Sequence, residues 1–355
     1  MNNYKRVLVT GGAGFIGGAF IRKLLKETDC IVFNIDKLNY ASDLTSINAL
    51  KNAYNRHKHY KIDLSNFKET EEVINSLNPE IIINFAAESH VDRSLDNPSK
   101  FIESNIVATF NLLEATRLYL KKTNASTKNN FLFHQISTDE VFGTLDKNGQ
   151  FNENTKYSPT SPYSASKASS DHLVSAWYHS YDLPIKITNC SNNYGPYQFP
   201  EKLIPLTILK CLNFQQIPIY GNGLQVRDWL HVEDHINAIF KVINKGDIGE
   251  TYCIGGFGEK TNIEVVKIIC SHFDRLKPKK ESYESLIKFV KDRPGHDKRY
   301  AIDSSFIQEK LGWQPKYKFE TGIEQTIKWY SDNQEWIETV LNNSGYIGQR
   351  LGINS

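Results

Sequence analysis

The stretch Arg6-Val7-Leu8-Val9-Thr10-Gly11-Gly12-Ala13-Gly14-Phe15-Ile16-Gly17 decides the fold. A short β-branched, apolar run enters a turn with glycines at 11, 14 and 17 and leaves into the helical pattern Ile16–Lys26. Glycine at that spacing permits a tight turn, close approach of backbone to a pyrophosphate, and close helix–sheet packing. The helix then aims its first N–H groups at the phosphates. Asp36 follows the next apolar run, Cys30–Ile35, and is placed to accept hydrogen bonds from adenosine ribose hydroxyls. Its charge would repel a 2′-phosphate, so NAD is favoured over NADP, although adjacent Lys37 weakens the discrimination.

Further apolar runs at Tyr60–Ile62, Ile81–Phe85, Phe131–Ser137 and Ile185–Asn189 alternate with helical patterns at Lys68–Leu77, Phe101–Lys121 and Pro162–Tyr181. Runs without strict alternation suit strands covered by helices on both faces. The expectation is an α/β fold, a Rossmann-like doubly wound parallel sheet with a smaller mixed α/β substrate-binding domain. Turn signals thicken after Asn189, a helix returns at Val232–Asn244 and a strand at Glu250–Ile254. The sheet domain is therefore assigned to 1–190 and about 229–260, the second to about 191–228 and 261–355. Asp63, expected to end the third strand, could reach the adenine. Phe85, Ala86 and Ala87 end the fourth, at the carboxyl edge where such sheets bind ligands.

At 355 residues the chain can bury a large core without disulfides or metals. Forty-two basic against 40 acidic side chains leave a net charge of +2, which argues against a nucleic-acid binder. No apolar run is long enough to span a membrane, and Met1–Arg6 leads into a strand without a signal-peptide apolar region. Five widely spaced cysteines form no C-x-x-C pair, so no metal site is indicated, and reduced thiols in the cytoplasm are expected.

Tyr163 and Lys167 are four apart and share a helix face, with Ser161 to cap that helix and Pro162 as its first residue. Tyrosine has a pKa near ~10 and is a poor base at neutral pH. An ammonium beside it and a cationic nicotinamide would favour the phenolate. Together with the glycine turn, this pair marks the short-chain dehydrogenase/reductases. Asp139 and Glu140 follow Thr138 at the expected end of the fifth strand. Two adjacent carboxyls exceed what oxidation alone needs, and they suit an elimination in which one removes a carbon-bound proton and the other protonates departing water.

Over nearly its whole length the chain resembles the dTDP-glucose 4,6-dehydratases, extended short-chain dehydrogenase/reductases of the NAD-dependent sugar-nucleotide epimerase/dehydratase group. The resemblance is carried by the turn from Thr10, Ala86-Ala87-Glu88-Ser89-His90-Val91-Asp92-Arg93-Ser94, Thr138-Asp139-Glu140, Tyr163-Ser164-Ala165-Ser166-Lys167, Ser191-Asn192-Asn193-Tyr194-Gly195-Pro196-Tyr197, Arg227-Asp228-Trp229-Leu230-His231-Val232 and Asp292-Arg293-Pro294-Gly295-His296-Asp297. Phe142 and Cys190 depart from the family's common tyrosine and arginine.

The resemblance implies that NAD oxidises the sugar at C4 with Tyr163 as base. Glu140 then takes the C5 proton, Asp139 protonates the leaving C6 hydroxyl, and hydride returns to C6. Thr138 would bond the substrate at C4, and Lys167 would bind the ribose and tune Tyr163. It also implies cofactor contacts from Phe15, Ile16, Lys37, Asn39, Leu64, Ser104 and Asn193, besides Gly11, Gly14, Gly17, Asp36 and Asp63. Substrate contacts would come from Ser89, Asn192, Lys202, Leu203, Pro218, Tyr220, Asn262 and His296. Arg227 and Arg293 would grip the diphosphate, since guanidinium matches phosphate in forked geometry. A homodimer is implied, joined through the 101–121 and 162–181 helices. The same reaction on UDP-glucose, a sugar-nucleotide 4-epimerase and a non-catalytic NAD-sensing regulator stay open, and the carboxyl pair favours dehydration.

Overall fold

The computed structural model describes residues 1, 4–51, 53–349 and 351. The remainder of the two assigned regions, at 2, 3, 52, 350 and 352–355, lies outside the described residues. In chain order the strands are β1 (Arg6–Thr10), β2 (Ile31–Ile35), β3 (His57–Tyr60), β4 (Ile81–Asn84), β5 (Leu132–Thr138), β6 (Ile185–Cys190), β7 (Asn192–Tyr194), β8 (Ile217–Tyr220), β9 (Val226–His231), β10 (Thr251–Ile254), β11 (Glu259–Thr261) and β12 (Ile287–Val290). Seven of them form one sheet in the order β3-β2-β1-β4-β5-β6-β10, every pair parallel.

Successive side chains of a strand point to opposite faces, and both faces here are apolar. Val7, Val9, Ile81 and Ile83 pack with Phe20 and Leu24 of the Phe15–Glu27 helix and Ile236 and Ile239 of the Val232–Lys245 helix. Leu8 and Ile82 turn the other way, onto Ile74, Leu112 and Val174 of the Phe67–Leu77, Ala108–Lys122 and Pro162–Tyr181 helices. Each such side chain contributes about 1.5–3 kcal/mol when fully buried. A doubly wound sheet is the result. Strand order reverses at β1, between β2 and β4, and that reversal opens a crevice at the carboxyl edge.

Beyond β6 a three-stranded sheet β11-β9-β7 and a β8-β12 pair join the Leu203–Leu212, Asn262–Leu276 and Phe319–Asp332 helices around a separate core containing Ile208, Ile269 and Ile327. The expected crossings at 229 and 261 fall inside β9 and β11. Both strands pair within the three-stranded sheet, while β10 returns to the large one.

Two local differences from the sequence reading bear on the site. The third strand is His57–Tyr60, not Tyr60–Ile62, so Asp63 stands in the following loop. This edge strand pairs only with β2, and edge pairing tolerates polar residues that apolar patterning passes over. The expected 101–121 helix is interrupted by a π-helical turn, Ile102–Val107. That turn buries Asn105, whose side chain accepts from the Glu88 N–H at 2.8 Å and donates to Glu88 O at 3.0 Å and Ser166 Oγ at 2.8 Å. Among the described residues no helix is long and apolar enough to cross a membrane.

Gly11 sits at φ +65°, and a Cβ there would lie 2.6–2.7 Å from the backbone of Phe85 and Ala86. Neither backbone can yield without moving β1 or β4. Gly11→Ala is expected to cost at least about 1–3 kcal/mol, the usual cost of a strained left-handed residue, read as a lowered midpoint in urea unfolding.

Candidate active site

The candidate catalytic, cofactor-contact and substrate-contact residues all stand on the wall of one cavity of about 460 Å³ between the large sheet and the C-terminal region. Its cofactor half begins at the glycine turn. Gly14 is the N-cap of the 15–27 helix and supplies no side-chain cap, so the first N–H groups lie open beside the cavity. Gly11, Phe15, Ile16 and Gly17 complete the turn. Asp36 accepts from the N–H of Ala13 at 3.0 Å and of Leu38 at 2.8 Å, which ties the β2 loop to the glycine turn. Lys37 Nζ donates to Ser104 Oγ at 2.8 Å and lies 3.5 Å from Asp63, closing this end together with Leu64. Asn39 donates to Glu88 at 2.9 Å. Phe85, Ala86 and Ala87 line the floor, and Asn193 is held by Ser191 O and His235. Uncapped amides, an acid beyond β2 and small residues after β4 fit an adenine dinucleotide bound through its pyrophosphate.

The reacting half is built by β5 and the 162–181 helix. Thr138 ends β5 and caps the single 3₁₀ turn Asp139–Phe142, its Oγ1 accepting from the Glu140 N–H at 3.2 Å. Burial pushes Asp139 well above the ordinary carboxyl range, and the charges of Glu140 and Asp228 add to that. Its Oδ2 is buried and has no partner among the described residues. Burial raises Glu140 too, but Lys202, Arg293 and Arg227 face it and oppose the rise. Adjacent carboxyls thus sit in different fields, which separates an acid from a base.

Ser161 and Ser164 form a reciprocal capping box, with Pro162 at the first position of the helix carrying Tyr163 and Lys167. Lys167 Nζ donates to Ile136 O at 2.8 Å. The phenol of Tyr163 is buried. Burial pushes it well above 10, and Glu140 and Cys190 raise it further, against one lowering contact from Thr138. One N–H of the Lys167 ammonium is taken by that carbonyl, which leaves two further donors on the group.

The third wall comes from the C-terminal region and is cationic. Lys202 Nζ donates to Ser89 O at 2.8 Å. Arg227 is 5% exposed, donates to Val226 O and Asp297 O, and stacks 4.2 Å from the Tyr300 ring centre. Arg293 donates one N–H to Asp92, while its buried Nε has no partner among the described residues. His296 bonds Asp292 at 2.7 Å, and burial, then Arg293 and Arg227, push its pKa down to about 4, so the ring is neutral at pH 7. Asn192 Oδ1 is buried and unpartnered. Leu203, Pro218, Tyr220 and Asn262 complete the wall.

Sequence reasoning passed over Tyr40, Asp92, Glu201, Tyr300 and Tyr346, which line the same cavity. Asp92 lies inside a motif already singled out and could have been found there. Tyr346 lies 183 positions beyond Tyr163 (346 − 163) and carries no local signal.

A doubly wound sheet whose glycine turn, Tyr-x-x-x-Lys helix and carboxyl pair meet in one cavity defines a short-chain dehydrogenase/reductase of the sugar-nucleotide type. The chain belongs to the family described as GDP-mannose 4,6 dehydratase, whose model matches residues 8–326. It is 51% identical to a dTDP-glucose 4,6-dehydratase of Neisseria meningitidis serogroup B, over 98% of this chain and 99% of that protein. The Streptomyces venezuelae dTDP-glucose 4,6-dehydratase with NAD and TYD bound superposes with a TM-score of 0.85 at 38% identity, over 94% of this chain and 99% of the other. The Bacillus anthracis enzyme of the same name, in complex with NAD, gives 0.81 at 42% identity, over 94% and 99%.

A carboxyl whose pKa is raised by folding favours the folded state below its unfolded pKa, ~4, and loses that advantage as pH climbs toward the raised value. Asp139→Asn removes the effect. Its stability relative to the wild type is therefore expected to rise between pH 5 and pH 8 in urea unfolding. A pH-independent difference would show that Asp139 is charged in the folded protein.

Proposed function

We propose that this chain is an NAD-dependent hydro-lyase that converts dTDP-glucose to dTDP-4-keto-6-deoxyglucose. The observation that carries the reading is the Thr138-Asp139-Glu140 turn, which sets a carboxyl favouring the protonated form and one flanked by cations beside Tyr163. The near-full-length likeness to dTDP-glucose 4,6-dehydratases supports the substrate. The residues from Gly11 to Gly17 with Asp36, Lys37 and Lys167 would hold NAD, which when bound would supply the hydride acceptor for C4 and the hydride donor for C6, with no net redox change.

Tyr163 receives the C4 hydroxyl proton, with Thr138 bonding the same oxygen. A phenol raised by burial must be lowered for this, and ~3 pKa units correspond to ~4 kcal/mol of differential stabilisation. The cationic nicotinamide and Lys167 supply the positive charge that opposes Glu140. Once C4 is a ketone, the C5 proton is acidic and passes to Glu140. Asp139 gives its proton to the C6 oxygen, the C6–O bond breaks, and water leaves. Glu140 then returns a proton to C5 as hydride reaches C6. Arg227, Arg293 and Lys202 are assigned to the diphosphate side of the cavity, where guanidinium and ammonium offset its charge.

We assign the chain to the cytoplasm and to a homodimer. All five cysteines are free and buried, which suits a reducing compartment. Ile102, Val107 and Phe110 on one helical segment and Tyr181 on the neighbouring helix expose apolar surface on one flank. Phe110→Lys is expected to shift sedimentation from dimer to monomer, and a monomeric wild type would remove this assignment.

Incubation with dTDP-glucose in heavy water tests the activity. Loss of one water with one deuterium gained at C5 is expected, and isomerisation to the galactose nucleotide would overturn it. In the same assay Glu140→Gln is expected to form no dehydrated product, with cofactor reduction still detectable at 340 nm in a single turnover.

A further inference from the structure

The segment Ser89–Ser94 belongs to a stretch carrying the family likeness, yet Asp92 and Arg93 have no part in the chemistry assigned above. They sit on the short Val91–Asp96 helix, which belongs to the large sheet domain and touches three other parts of the site. Val91 packs with Phe101 against Tyr163. Asp92, 4% exposed, reaches across the cavity and accepts from Arg293 Nη1 at 2.6 Å and from the Tyr220 hydroxyl at 2.8 Å. Arg93 turns to the other flank. It donates to Glu201 at 3.0 Å and lies 3.7 Å over the ring of Tyr40, whose hydroxyl donates to the same carboxylate at 2.8 Å.

Arginine has five N–H donors in a rigid fork and loses rotamer freedom when it binds phosphate. One Arg293 donor is held by Asp92, so the fork is already aimed, and its buried Nε has no partner among the described residues. The same carboxylate fixes the Tyr220 hydroxyl on β8. These two groups come from chain segments more than seventy residues apart (293 − 220 = 73), and a single anion sets the distance between them. Burial works against charge on Asp92, but Arg293, His90 and the two hydrogen bonds outweigh it, and the carboxyl titrates below its usual range. Asp92 is thus an anion throughout the neutral range. The Arg93–Glu201–Tyr40 contacts hold the helix from its other side.

The geometry points to Asp92 as a positioning residue for the dehydration, one that orients Arg293 and Tyr220 across the cleft for the nucleotide-sugar diphosphate without itself touching the reacting carbons. This rests on the dehydratase reading. It adds a residue whose effect falls on substrate capture rather than on proton transfer.

Steady-state kinetics with dTDP-glucose and calorimetric titration with dTDP test it. Removing one partner of a buried charge pair commonly costs 2–5 kcal/mol, so Asp92→Asn is expected to raise KM and weaken dTDP binding about 30-fold, with kcat within about threefold. In an Arg293→Ala background the same substitution is expected to raise KM no more than about threefold, the share carried through Tyr220, because its other partner is gone. Asp92→Glu is expected to recover part of the loss. Unchanged KM in Asp92→Asn, or an equal rise in the Arg293→Ala background, would overturn the assignment. Should Asp92→Asn fail to fold, Tyr220→Phe removes only the hydroxyl that Asp92 holds. A rise in KM of about threefold at constant kcat supports the linkage, and no rise counts against it. The wild type is run alongside. If it neither binds dTDP nor dehydrates dTDP-glucose, the dehydratase reading fails and Asp92 falls with it. An active wild type with an indifferent Asp92→Asn overturns the positioning role alone.

Discussion

The backbone of Gly11 lies against that of Phe85 and Ala86 with no room for a side chain between them, and much of the site follows from that contact. It keeps the carboxyl ends of β1 and β4 together, with Thr10 opposite Asn84, and the 15–27 helix starts directly after the turn. The helix therefore presents uncapped amides to the cavity, and Asp36 reaches back to Ala13 to keep the turn in place. From the neighbouring strand β5 the chain delivers Thr138, Asp139 and Glu140 to the same edge. A parallel sheet brings every strand's carboxyl end to one side, so the glycine turn and the Asp139–Glu140 carboxyl pair share a wall.

Exclusion of water then sets the chemistry. The same burial that raises Asp139 and Tyr163 lowers His296, and local charge decides how far each moves. Glu140 faces three cations while Asp139 faces two further carboxyls. Burial raises both, and cations from the second region oppose the rise more strongly at Glu140 than at Asp139. A charged residue is costly to bury unless it is paired, and Arg293 with Asp92 and Arg93 with Glu201 meet that requirement across the cleft.

Much of this was legible in the chain. The glycine spacing, the acid after β2 and the Tyr-x-x-x-Lys spacing are local patterns whose meaning comes from backbone geometry within one turn or one helix. The capping box at Ser161 and the 162–181 helix follow from residues adjacent to one another. The third strand was misplaced because its residues, His57–Tyr60, are polar and its pairing is one-sided. The π-helical turn at 102–107 was invisible because its reason, Asn105 bridging Glu88 and Ser166, joins residues 17 and 61 positions away.

What the sequence determined by itself is the class of fold and the glycine turn, and it supplied the candidate reacting side chains, all from short-range spacing. Only the tertiary structure decided which groups share a field: Lys202, Arg227 and Arg293 around Glu140, Ile136 O on Lys167, and Asp92 on Arg293 and Tyr220. Proton affinities and side-chain orientation depend on distances of a few ångströms between segments far apart in the chain, and no local pattern encodes those distances.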